Sequence, residues 1–382
     1  MATEVQVQSF AANEVPVQSF LKKRVACIDA LRGFDMFWIA GGEGIIRAIH
    51  KVWPNSVTAG LDVQFQHVSW EGFHFYDLIV PLFLFVVGLV LPFSLTRRLE
   101  EGANRRQLYG HLVRRLLFLL LLGYLYNGLL DFNLHDLRIS GVLQRIAICY
   151  FLAALVVMNT GIRGQAWVAG GILVVYWLIM KFVPVPGIGA GVLTPEGNLV
   201  GYLDRLIIPR PYCCYYFGDN EGLLSNLPAI STTLLGVLAG HWLRSKNSPN
   251  RKTLGLVVAG VASLLFALVW SFDFPIIKNI WTSTFVLCAG GWSLLLLALF
   301  YWVIDVRGVA RWSFFFKVIG MNAITIYIVD RFFRFSIISN IFLHGLMKYL
   351  GALQPFVDAC GVVAAMWLFL YFLYRQKIFL KV

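Results

Sequence analysis

The chain has 382 residues, of which 59% are hydrophobic and 14% charged, whereas soluble domains carry roughly 25% charged residues. This balance excludes an ordinary soluble enzyme and describes a protein that lies in a membrane. A formal charge of +12 would fit a nucleic-acid binder, but the basic residues gather at alternate ends of apolar runs, so no nucleic-acid partner is expected.

Residues 1–24 read as a polar, mobile tail in which Glu4-Val5-Gln6-Val7-Gln8-Ser9-Phe10 recurs as Glu14-Val15-Pro16-Val17-Gln18-Ser19-Phe20. Residues 25–382 read as a single membrane domain. Apolar runs able to cross a ~30 Å hydrocarbon core fall near 28–46, 76–95, 116–130, 141–159, 166–183, 226–243, 253–270, 281–304, 316–335 and 356–374. The expected fold is an all-α bundle of about ten transmembrane helices, with the helix at 116–130 beginning among the arginines before it. If the N-terminus is placed inside, twenty Lys and Arg lie near inner ends and ten in outer loops. Both termini are therefore expected on the cytoplasmic side, with loops 47–75 and 184–225 forming a cap outside. Cys27, Cys149, Cys288 and Cys360 lie in or beside apolar runs, the adjacent Cys213 and Cys214 are poorly placed to bridge each other, and no spacing argues for a metal.

Charges inside the first run recur every third residue at Asp29, Arg32 and Asp35, so they share one side of a helix. They form either an ion-pair ladder or a ligand contact. Glu43 follows Gly41 and Gly42, where a ligand can approach the backbone closely. His67 then stands in His67-Val68-Ser69-Trp70-Glu71-Gly72, just before Asp77 and the second run. An imidazole there suits a general base or an acyl carrier, and Asp77 or Glu71 could orient it; His74 is the weaker candidate. The inner segment 97–115 is the richest in arginine, including Arg114 and Arg115. Gly141-Val142-Leu143-Gln144-Arg145 opens the fourth run, where a buried guanidinium beside an amide suits a phosphate or carbonyl, or else pairs with Asp29 or Asp35. Asp219, Glu221, Lys278, Asn279, Trp281 and Asn322 are further polar or amphipathic residues near run ends.

Taken in order, Asp29-x-x-Arg32-Gly33, His67-x-x-Trp70-x-Gly72-x-x-x-x-Asp77-Leu78-x-x-Pro81, Gly141 to Arg145, Asp219-x-Glu221-Gly222, Lys278-Asn279-x-Trp281 and Gly320-Met321-Asn322 resemble the heparan-α-glucosaminide N-acetyltransferase family, in its bacterial branch. The resemblance implies a polytopic enzyme that moves acetyl from cytosolic acetyl-CoA to the amine of a glucosamine across the membrane. It places the active-site histidine at His67, with Glu43 and Asp77 as catalytic partners, although the lysosomal members carry asparagine where this chain has Glu43. Trp70, Glu71, Asp219, Glu221 and Asn322 are then expected on the acceptor side. Arg32, Arg114, Arg115, Gln144 and Arg145 are expected around coenzyme A, without a metal. The implied setting is a bacterial inner membrane, with lipid around the bundle and a homodimer as the assembly. A transporter or flippase for a glycan or lipid-linked sugar is the main rival reading, and a non-enzymatic scaffold is the third.

Overall fold

The structure is a computed structural model that describes residues 26–379 except Leu134, Pro209 and Arg210; for Cys214 it describes the backbone only. The polar tail expected at 1–24 lies outside these residues. Among the described residues the fold is almost wholly helical, with a two-stranded hairpin of β1 (Cys214–Tyr215) and β2 (Gly218–Asp219) as its one named sheet.

The first apolar run is not one helix. α1 (Ala26–Phe37) ends in a widened segment at Trp38–Gly42, where Ala40 and Gly41 leave helical geometry, and α2 (Glu43–Val52) continues beyond it. Gly41 has φ 122°, a conformation that costs an L-residue its side-chain clearance and glycine nothing. The break places Glu43 at the first turn of α2. The short α3 (Ser56–Gln64) follows, capped by Asn55, whose side chain accepts from Val57 N and Thr58 N at 3.0 Å.

The long helices come next: α4 (Phe75–Glu100), α5 (Arg105–Tyr126), α6 (Val142–Asn159) and α7 (Ile162–Phe182). The start of α5 at Arg105 bears out its expected origin among arginines. After α8 (Leu199–Ile207) and the hairpin come α9 (Asn226–Arg244), α10 (Pro249–Trp270) and α11 (Ser283–Val306). α12 (Ser313–Met321), α13 (Ala323–Phe332), α14 (Phe335–Met347) and α15 (Gln354–Arg375) complete the chain.

Seven described helices are long and apolar enough to cross a membrane, or eight if α12 and α13, bent by 72° at Asn322, count as one span. Two of the ten expected runs differ for physical reasons. The first is broken at Ala40 and Gly41. α9 carries buried Ser231, Thr232 and Thr233 and does not reach the apolarity of the others. α9 is instead the central helix, packed on α4, α6, α7 and α11. Its polar groups are satisfied by neighbours: Ser231 Oγ donates to Ala169 O at 2.9 Å, and Thr232 Oγ1 accepts from Trp281 Nε1 at 3.2 Å.

Close helix crossings depend on glycine. A methyl at Gly88 of α4 would overlap the Thr233 carbonyl, and one at Gly236 of α9 would overlap the Phe85 carbonyl. Gly33 of α1 and Gly320 of α12 form the equivalent crossing. These contacts bring backbones together where side-chain packing, rather than the hydrophobic effect, holds helices against one another.

Candidate active site

His67 lies in the segment that joins α3 to α4, and hydrogen bonds hold that segment in place. The Asp77 carboxylate, 1% exposed, folds back to accept from His74 N at 3.1 Å and Val68 N at 3.4 Å. Its Oδ1 lies 2.8 Å from His67 Nδ1. The imidazole itself is half-exposed. An Nδ1–H donated to Asp77 leaves Nε2 as the proton-accepting nitrogen, the orientation a base or nucleophile needs.

A second segment meets this pair from the opposite side. Residues 271–282 link α10 to α11, and Gly72 N donates to Ile276 O at 2.9 Å, beside a bridge between Glu71 and Ile277. That pairing carries Lys278 onto the imidazole. Its Nζ lies 2.8 Å from His67 Nδ1, 3.3 Å from Nε2 and 3.1 Å from Asp77 Oδ1. Burial lowers the Lys278 ammonium below the ordinary lysine range even though Asp77 opposes the shift. The turn is tightly specified: Thr282 Oγ1 accepts from Ile277 N at 3.0 Å and Phe285 N at 3.3 Å, and Trp281 N donates to Lys278 O at 2.9 Å. Trp281 holds φ 53°, a conformation unfavourable for a bulky side chain. Its buried indole holds it there, packed beneath the Arg145 guanidinium at 4.4 Å.

Glu43 reaches the same place through a tyrosine. The Tyr76 phenol lies near enough to the Glu43 carboxylate for the two to interact electrostatically, while the Tyr76 ring lies 4.9 Å, centroid to centroid, from that of His67. Glu43 also faces Arg47 at 3.4 Å. Glu43, His67 and Asp77 thus converge, joined by Tyr76 and Lys278.

The other candidates divide by location. Trp70 Nε1 donates to Leu193 O at 2.8 Å and its ring packs on Tyr215, which ties the His67 segment to the cap. Asp219 and Glu221 both grip Arg138: its Nη2 lies 2.5 Å from each carboxylate, and its Nε is 2.8 Å from Asp219 Oδ2. Burial pushes the Asp219 carboxyl up, but the hydrogen bonds and charge of Arg138 outweigh it and hold the group below its ordinary range. Asp204 of α8 accepts from Asp219 N at 3.1 Å and Leu223 N at 3.0 Å, and burial raises it to about 6. Cys213, beside this turn, is disulfide-bonded; the Cys214 side chain, on which the expectation of no adjacent bridge also rests, lies outside the described residues.

Arg145, 1% exposed, stands one turn into α6 at the His67 end of the bundle. It donates to Asn220 O at 2.8 Å, Asn226 Oδ1 at 3.2 Å and Ser225 Oγ. Among the described residues its Nη1 has no hydrogen-bond partner, and neither has the buried Gln144 Nε2. Arg145 is separated from the arginines of α5. Of these, Arg114 and Arg115 lie midway along the helix; Arg114 is exposed, while the Arg115 guanidinium sits 3.9 Å over the Tyr150 ring of α6. Arg32 lies 3.9 Å from Asp29 on α1, whereas the buried Asp35 carboxylate has no hydrogen-bond partner among the described residues, so the expected ladder does not extend to it. Asn322 sits at the α12–α13 bend and donates to Ile378 O at 3.2 Å, beyond the end of α15. Five residues further along α13, Tyr327 stacks on Tyr126 at 4.8 Å, and Arg331 overlies the same ring at 5.9 Å. Among the described residues no hydrogen bond links Asn322 to the His67 group.

Fold and site together define a polytopic helical membrane protein with a histidine–carboxylate–lysine cluster at one end of the bundle. Residues 24–272 match the family model described as heparan-alpha-glucosaminide N-acetyltransferase, catalytic, and the chain belongs to that family. It is 27% identical to the heparan-alpha-glucosaminide N-acetyltransferase of Homo sapiens over 424 aligned positions, covering 95% of this chain and 61% of that protein. The Mus musculus counterpart is 26% identical, with 94% and 60% covered. The chain therefore spans about three-fifths of the length of these curated relatives.

Proposed function

We propose that this protein transfers acetyl from acetyl-CoA to the amine of a glucosamine-type sugar. The observation that carries the proposal is the half-exposed His67 imidazole, bound at Nδ1 by a buried carboxylate 2.8 Å away. In that state Nε2 accepts a proton from an ammonium nucleophile and leaves the amine lone pair free to attack the thioester carbon. Asp77 fixes the tautomer and stabilises the imidazolium that forms, as a carboxylate does in a serine-protease triad. Glu43, beside Tyr76, would add negative charge near His67 for a cationic acceptor. The unpartnered Arg145 Nη1, together with Gln144 Nε2, supplies buried donors for an acyl carbonyl or an acceptor hydroxyl. Trp70, Glu71, Asp219 and Glu221 would build the wall of the acceptor site.

Coenzyme A is too polar to cross a bilayer, so its phosphates would enter from the arginine-rich end, near Arg97, Arg98, Arg105 and Arg106. Arg114 and Arg115, midway along α5, and the Tyr150 platform beneath Arg115 would lie between that entrance and His67. The membrane is a bacterial inner membrane in this reading, with both termini on the cytoplasmic side, and the assembly is a homodimer. Purified protein given labelled acetyl-CoA and glucosamine is expected to form N-acetylglucosamine and free thiol in equal amounts. His67→Ala should abolish both while leaving the protein folded. Near-normal turnover in that variant removes His67 from the reaction, and movement of sugar across vesicles without acetylation favours translocation.

A further inference from the structure

The Lys278 Nζ occupies the position where an acceptor amine would be activated. It touches both ring nitrogens of His67, at 2.8 and 3.3 Å, and Asp77 at 3.1 Å. The lysine side chain is 12% exposed, and it is held by a turn whose backbone bonds leave little freedom. An ammonium placed this way would pass a proton to the imidazole without changing the net charge beside Asp77. Before transfer the carboxylate faces Lys278 as a cation and neutral His67. After transfer it faces an imidazolium at 2.8 Å and a neutral amine. The other charged groups around the cluster are Glu221 and Arg145, which act on Lys278 from opposite signs, and Glu43 with Arg47 behind Tyr76. Burial disfavours the charged lysine, so the exchange yields a desolvated amine, the reactive form of this side chain.

We propose that Lys278 is an internal acetyl acceptor: without sugar, the protein acetylates its own Lys278 and so shuts its site. This rests on the acetyltransferase reading above. The Lys278 ammonium gives one proton to His67. The amine lone pair then forms an N–C bond to the thioester carbonyl carbon, and the C–S bond breaks with its electron pair on sulfur. The thiolate takes a proton from the new N-acylated nitrogen, relayed by His67, and the remaining proton leaves through the exposed imidazole edge. The products are Nε-acetyl-Lys278 and free coenzyme A thiol. The amide is stable to the next turnover, removes the positive charge beside Asp77 and adds an acetyl group against the imidazole. Bound acceptor competes for the same thioester, so the modification belongs to the acceptor-starved state.

Three arms test this on the full-length protein in detergent. With labelled acetyl-CoA alone, peptide mass spectrometry should find hydroxylamine-stable acetyl accumulating at Lys278 at least tenfold faster than at exposed Lys51 and Lys348, and glucosamine should slow it. Sugar acetylation measured after such pre-incubation should fall below one-tenth of its initial rate. In Lys278→Arg, whatever its starting rate, pre-incubation should cause no decay. p-Nitrophenyl acetate, which needs no coenzyme A site, should also label Lys278 at least tenfold faster than Lys51, and His67→Ala should remove that preference. Acetylated sugar with no enrichment at Lys278 overturns this proposal and leaves the function standing. No acetylated sugar, with p-nitrophenyl acetate still selecting Lys278, overturns the function and upholds the reactive lysine. Equal labelling of Lys278 and Lys51 by p-nitrophenyl acetate overturns the proposal outright.

Discussion

Replacing Asp77 with Asn tests the site most sharply, because the amide has nearly the same shape but cannot serve all four of the donors that the carboxylate meets. Asp77 Oδ1 faces His67 Nδ1 at 2.8 Å and Lys278 Nζ at 3.1 Å, while Oδ2 faces the backbone N–H groups of His74 and Val68 at 3.1 and 3.4 Å. If the amide oxygen stays toward His67, its NH2 confronts two backbone donors, each costing roughly 1–3 kcal/mol if left unmade. If the amide flips, the NH2 donates to Nδ1 and drives the proton to Nε2, so the nitrogen facing the acceptor loses its lone pair. Either way Lys278 loses its anion while largely buried, a defect of about 3–5 kcal/mol when one partner of a buried pair is removed. A comparable wrong tautomer in a serine protease lowers turnover by about 10⁴. We therefore expect kcat for glucosamine acetylation to fall by about 10³–10⁴, or ~4–5 kcal/mol of barrier, with a lower melting temperature. The assay is thiol release under saturating acetyl-CoA, with tryptophan fluorescence for unfolding. The double variant Asp77→Asn, Lys278→Met should recover part of the stability and none of the rate. A rate within tenfold of the parent would refute the tautomer argument.

Arg138→Met leaves Asp219 and Glu221 facing each other around a buried turn, and should cost about 3–5 kcal/mol, read as a fall of several degrees in melting temperature. Asp204 gives a pH signature: its folded value is about 6, above the unfolded range, so its contribution is fully present below about pH 4 and lost as pH rises through 6. Melting temperature should therefore climb from pH 7 to pH 5, and Asp204→Asn should flatten that climb. Asp219 has the opposite sign, because its carboxyl is held below the ordinary range; the stability it adds is lost only as pH falls below about 4. Gly33→Ala drives a methyl into the Phe316 carbonyl on α12 and should remove most folded protein from detergent-solubilised membranes, whereas Gly44→Ala, which meets open space, should not.

Much of this arrangement is legible from local chemistry. The apolar runs give helices because a span must satisfy its own backbone, and Asp77 lies ten residues after His67, close enough for one short segment to join them. The broken first span is less legible, since Gly41 and Gly42 mark a weak point without saying whether the helix bends there. α9 reads as another apolar run able to cross the membrane, but its Ser231, Thr232 and Thr233 are buried among neighbouring helices, and residue type alone does not distinguish these settings.

Lys278 illustrates the harder limit. It is separated from His67 by 211 positions, and what joins them is a main-chain pairing of Gly72 with Ile276 that no side-chain pattern records. The available signal is geometric: Lys278-Asn279-x-Trp281 is a polar turn at the mouth of an apolar run, and a buried tryptophan with φ 53° implies a turn held against its own preference. Such a turn is maintained only if packing over-determines it, here by Arg145 above the indole and Thr232 at its nitrogen. Arg145 follows the same logic. Its position four residues after Gly141 sets it at the start of α6, and the α6 start lies at the His67 end because α5 has already carried the chain away from the arginine-rich end. A guanidinium at that end supports the indole whose turn carries Lys278, so a change at Arg145 should reach His67 through Trp281 and Lys278 without any contact between Arg145 and the imidazole.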